Sequence, residues 1–166
     1  MPDLKPISAA GIPAALQKAH RYRLLNDSVA AESICQDILA VDPVNIDATV
    51  TNVLAITDQF ALAMGDNLAR AREAVARLGD PYRNAYYNGI ICERWAKAVL
   101  NSGTPRAGEA AHDWLSRAMD WYAKAEGMRP EGNDESILRW NACVRILERH
   151  PHVRPREVEA YEPGFE

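Results

Sequence analysis

Tyr87, Ile91 and Arg94 follow one another at steps of four and three residues. On a helix that spacing puts an aromatic, an aliphatic and a cation on one strip, with Trp95 beside them. Tyrosine and arginine are over-represented among residues that dominate interface energy. The strip therefore reads as a contact surface for another molecule. Bond-making chemistry has less to draw on. The chain has no G-x-x-x-x-G-K-[ST] phosphate loop, no G-x-G-x-x-G after a strand, no H-E-x-x-H and no C-x-x-C. His150 and His152 are its one close histidine pair. With no cysteine near them they lack the ligands of an ordinary metal site, and they read as a helix end and tail. A nucleophilic thiol needs a histidine and an electropositive setting. Cys92 has Arg94 close by in sequence, and Cys35 has nothing comparable. Cys35, Cys92 and Cys143 are odd in number and far apart. They read as reduced, buried thiols of a cytoplasmic protein. No catalytic residue, metal or cofactor is expected.

The 166 residues suit one domain with a real core. A hydrophobic share of 48% against 25% charged marks an ordinary folded chain. The net charge of −4 argues against general nucleic-acid binding, which needs a basic footprint. Neither a polybasic run nor a bilayer-length apolar stretch points to a membrane. The N-terminus lacks the charged-then-apolar layout of a signal peptide. All four tryptophans lie in the second half. Trp114 and Trp121 read as core, whereas Trp95 and Trp140 sit among charged residues and are open between core and surface.

The elements that position these residues read as helices throughout, with no strand. The first starts near Pro13, which suits a first turn, and stops at the cluster Asn26, Asp27, Ser28. In the second, Ala31, Ile34, Cys35, Ile38 and Leu39 share one buried face. Asn45 caps a third helix predicted to run to about residue 64, where Gly65 and Asp66 signal a turn. The fourth, residues 67–78, carries Leu68, Ala71, Val75 and Leu78 on one stripe. The fifth covers residues 82–100. Its Gly89 costs about 1 kcal/mol against alanine, and close approach of another helix is the expected compensation. A loop over residues 101–108 leads to a sixth helix, 109–128. The seventh, 135–149, is capped at Asn133 or Asp134 and presents Ile137, Trp140, Val144 and Leu147 to the core.

Within the sixth helix, Ala118, Tyr122 and Ala125 lie on one face, and Pro130 follows. This small–aromatic–small–proline spacing resembles the second helix of a tetratricopeptide repeat. The spacing from Ala31 to Pro43 is a partial match. The resemblance covers most of residues 11–149 and implies an all-α solenoid of about three helix–turn–helix pairs plus a capping helix. The helical domain is set at residues 12–150, and residues 151–166 are read as an extended or disordered acidic tail with Tyr161 and Phe165 as docking anchors.

In such solenoids the first helix of each pair lines a concave groove. The faces turned away from the core carry Gln17, His20 and Arg23, then Val50, Leu54 and Thr57, then Asn84, Tyr87, Asn88, Ile91 and Arg94. Leu138, Arg139, Ala142 and Arg145 follow on the last helix. The resemblance thus implies a non-enzymatic adaptor that binds a protein or peptide, an acidic or C-terminal segment fitting best. Tyr87, Asn88, Ile91, Arg94, Arg139 and Arg145 are its expected partner-binding residues. A cytoplasmic chaperone of secreted substrates is the alternative, and a helical enzyme or small-ligand domain using the tryptophan-rich half is the weaker one.

Overall fold

The computed structural model describes residues 1–62 and 65–156. All regular structure among them is helical. After a short 3-10 turn, Ala9–Gly11, come α1 (Ile12–Leu24), α2 (Ser28–Val41), α3 (Ile46–Asp58) and α4 (Asn67–Ala76). These are followed by α5 (Pro81–Asn101), α6 (Ala107–Glu126) and α7 (Glu135–Arg149). Short polar side chains start several of them by accepting otherwise orphaned backbone N–H groups. Asp27 accepts from Ala30 N at 3.1 Å, Asn45 from Ala48 N at 2.9 Å, and Asp80 from Arg83 N at 2.6 Å. Asn133 Oδ1 accepts from Glu135 N at 3.0 Å and sets the start of α7.

Every helix packs on its neighbours in sequence, and α3 also touches α1 and α5. The most extensive pairing joins α5 and α6. Ala118, Tyr122 and Ala125 are fully buried in it, among Ala85, Ile90, Ala96 and Leu115. A second cluster, built from Val53, Ile56, Phe60, Ala71, Val75, Leu78 and Ile91, fills the space between α3, α4 and α5. Tyr87 packs against both clusters. On α2, Ala31, Cys35 and Ile38 form the buried face that periodicity predicts.

Four local expectations need correction. α3 ends at Asp58, well short of residue 64. There Gln59 Nε2 turns back to Ala55 O at 3.1 Å, and Phe60 tucks inward edge-on to Trp95, ring centroids 5.0 Å apart. α4 ends at Ala76, and Leu78 is buried from the turn that follows. α6 starts at Ala107, earlier than residue 109. On α7 the buried positions are Ser136 and Cys143, with Ile146 and Leu147 against the core, whereas Trp140 is exposed. The inward face is thus rotated from the one built on Ile137, Trp140 and Val144, and it carries Arg139 toward Glu93.

The chain beyond α7 turns at Pro151 and His152 and sends Val153 into the α5–α6 core at 5% exposure. Val153 N donates to His150 O at 2.8 Å. This segment lies against the first turn of α6, where a Cβ on Gly108 would come 2.4 Å from His152 O. Tyr161 and Phe165, read as docking anchors, lie outside the described residues.

Candidate interaction face

Asp58, the last residue of α3, joins three helices. Its Oδ2 accepts from Arg23 Nε of α1 at 2.8 Å, and its Oδ1 accepts from Arg94 Nη1 of α5 at 2.5 Å. Arg94 Nη1 also donates to Thr57 Oγ1 at 2.7 Å and Leu54 O at 3.2 Å. Nearby, His20 Nε2 and Thr51 Oγ1 lie 2.9 Å apart and tie α1 to α3 a second time. All three members of the charged row keep some exposure: 21% for the side chain of Arg23, 28% for Asp58 and 24% for Arg94. Burial lowers the pKa of the Arg94 guanidinium, Asp58 opposes that shift, and the charges of Arg23 and Arg139 add to it. Two guanidiniums share one carboxylate, so one positive charge is left over. Each guanidinium carries five N–H donors in a planar fork, more than Asp58 takes up.

Arg139 of α7 continues this face toward Glu93. Glu93 is buried, with its Oε2 accepting the Tyr122 hydroxyl at 2.7 Å and its Oε1 accepting from Lys97 Nζ at 2.5 Å. Arg139 Nη1 stands 3.5 Å from the same Oε1. Burial works against the charge of Arg139, but Glu93 and Tyr86 outweigh it and its pKa lies above the ordinary value. A separate carboxylate, Glu32, is buried between α2, α3 and α4, where it accepts from Gln59 Nε2 at 2.7 Å and Gln36 Nε2 at 2.9 Å and pairs with Arg70.

The six expected contact residues fall in different places. Arg94 and Arg139 are half-buried on one side of the molecule, close enough for their charges to interact. Tyr87 is half-buried, and burial pushes its hydroxyl up to about 12. Asn88 folds back on its own helix, its Nδ2 donating to Asn84 O at 2.9 Å. Ile91 is fully buried in the α3–α4–α5 cluster and offers nothing to a partner. Arg145 is exposed, but it lies two positions past the buried Cys143, roughly 200° around α7. It therefore lies on the side of α7 turned away from the core. Spacing within α5 did not reveal Asp58, because its role depends on which helix lies alongside.

The guanidiniums of Arg72 and Arg117 lie over the ring of Trp114, their centres 5.5 and 4.9 Å from its centroid. Trp95 packs against Phe60, and Trp121 lies at the core edge with Lys124 over its ring. Cys35, Cys92 and Cys143 are buried free thiols, and burial raises all three, Cys35 and Cys143 to about 12. They are protonated at neutral pH and therefore poor nucleophiles. His20 meets a threonine hydroxyl rather than a carboxylate. Among the described residues no three His, Cys, Asp or Glu side chains gather as a metal site, and no helix is long and apolar enough to cross a membrane. No protein-family model, curated protein or solved structure matches the chain.

Proposed function

We propose that this protein is an adaptor whose helices stack as a short tetratricopeptide-like solenoid and hold an extended segment of a partner protein along α1, α3, α5 and α7. The observation that carries this reading is the row Arg23–Asp58–Arg94, which ties three alternate helices together on one partly exposed face. Contacts of α3 with α1 and α5 agree with alternate helices lying side by side, as they do in a solenoid. The surplus positive charge and unused N–H donors of the row suit a carboxylate, from an acidic side chain or a chain end. Binding is proposed rather than catalysis, since the thiols are buried and protonated. Three buried free thiols also suit the reducing cytoplasm.

The test is affinity capture of a partner followed by calorimetry against Arg23→Ala. Loss of that guanidinium should weaken binding about tenfold, the range of an interfacial arginine. Equal affinity for the wild type and Arg23→Ala, with both folded by circular dichroism, would remove the row from the binding surface.

A further inference from the structure

A cavity of about 380 Å³ opens where the first turns of α3, α5 and α7 meet the chain leaving α6. Its walls include three tyrosines, Tyr82, Tyr86 and Tyr87. The rings of Tyr82 and Tyr86 stack with centroids 6.0 Å apart, and Tyr87 meets Tyr86 edge-on at 5.1 Å. Three carboxylates, those of Asp47, Asp80 and Glu135, and one cation, Arg83, also line it, with Val50, Met128 and Pro130 as its apolar part. Asp80 Oδ1 is engaged by Arg83 N at the start of α5, while Asp47 and Glu135 are exposed. Tyr82 donates its hydroxyl to Asn133 Oδ1 at 3.2 Å, which anchors that wall.

We infer that this cavity is a binding site for an alkylammonium cation, held by the tyrosine rings and the surrounding carboxylates. Aromatic rings present a negative face that attracts cations, most strongly where water is partly excluded. Among the lining residues three carboxylates face one cation, and the two further arginines whose charges reach the tyrosines, Arg129 and Arg139, are paired with Asp134 and Glu93. Burial raises all three hydroxyls; the charge of Glu135 adds to the rise at each, while Arg129 works against it at Tyr82, Arg139 at Tyr86 and Arg83 at Tyr87. The same cationic chemistry is offered by a lysine side chain of a partner and by a free quaternary ammonium compound. The lysine source rests on the adaptor reading, but the cavity itself does not.

The test is NMR titration of tyrosine-labelled protein with tetramethylammonium chloride and, separately, with N-acetyl-lysine methylamide, against sodium chloride at equal ionic strength. Saturable shifts confined to the resonances of Tyr82, Tyr86 and Tyr87 are expected. Glu135→Gln should weaken binding about two- to fivefold, the range of a partly exposed charge. Tyr82→Leu should weaken it about three- to tenfold, and Tyr87→Phe, which keeps its ring, should bind as the wild type does. Tighter binding of the lysine derivative points to a partner side chain, tighter binding of tetramethylammonium points to a free quaternary ammonium compound, and both support the site. Shifts no larger than those in sodium chloride would overturn it, as would saturable binding unchanged in both Glu135→Gln and Tyr82→Leu. Either failure would leave the Arg23→Ala test of the adaptor face untouched.

Discussion

Gly89 and Tyr122 compete for one space. A Cβ on Gly89 would lie 2.4 Å from Cε1 and 2.6 Å from Cδ1 of the Tyr122 ring. The ring is fully buried, and its hydroxyl is held by the buried Glu93. It has no free direction in which to retreat. The glycine on α5 is therefore the counterpart of the tyrosine on α6, and the two small residues Ala118 and Ala125 bring the helices close enough for that contact. Glycine to alanine in an open helix gains about 1 kcal/mol. Here the added methyl overpacks a closed site, which costs typically about 1–3 kcal/mol and sometimes more. The expected outcome for Gly89→Ala is net destabilisation, read as a lower midpoint in urea unfolding. An unchanged or raised midpoint would mean that the ring moves aside without loss.

Between helices, Arg94 is a structural link before it is a contact for anything else. From α5 it bonds Thr57, Asp58 and the carbonyl of Leu54 on α3. Arg94→Met keeps the apolar stem and removes these bonds, so it should cost about 1–3 kcal/mol. A double-mutant cycle with Asp58→Asn should show the two side chains coupled by at least about 0.5 kcal/mol. Additive effects would make the ion pair incidental. This link also marks where local pattern stops being informative. The pairing of α5 with α6 was legible, because Gly89, Ala118, Tyr122 and Ala125 carry it at fixed helical spacings. The bounds of α7 were legible from Asn133 and the helix end at His150. The end of α3 was not. No breaker stands before Gly65, and the helix stops where Phe60 meets Trp95 and Gln59 meets Glu32, contacts made far along the chain. The candidate site suffered in the same way. Periodicity put Tyr87, Ile91 and Arg94 on one strip, but it could not say that α3 and α4 would cover Ile91 while Asp58 captured Arg94.

Across the whole molecule, many groups that lose a proton at alkaline pH are buried in the protonated form. Burial raises Cys35 and Cys143 to about 12, and it raises Cys92 as well. Tyr87 rises to about 12, and Tyr82, Tyr86 and Tyr122 rise too, the last through burial and then the charge of Glu93. The sign of the effect follows from which state binds more protons. Below about pH 7.5, a unit under the ordinary thiol pKa of about 8.5, these groups are protonated whether folded or not, and they contribute no pH dependence. Above that, thiols of the unfolded chain ionise first, and phenols follow near pH 10, while the folded groups still hold their protons. The unfolded state then binds fewer protons, so stability falls as pH rises toward the folded pKa values. Each group that ionises only in the unfolded chain removes about 1.4 kcal/mol per pH unit. Urea midpoints measured from pH 7 to pH 11 should therefore decline, gently from about pH 9 and more steeply above pH 10 as the tyrosines join the cysteines. Replacing Cys35 and Cys143 with alanine should flatten the first part of that decline and leave the second, because the tyrosines remain. A flat midpoint up to pH 11 in the wild type would mean that these thiols and phenols ionise as readily in the fold as in the open chain.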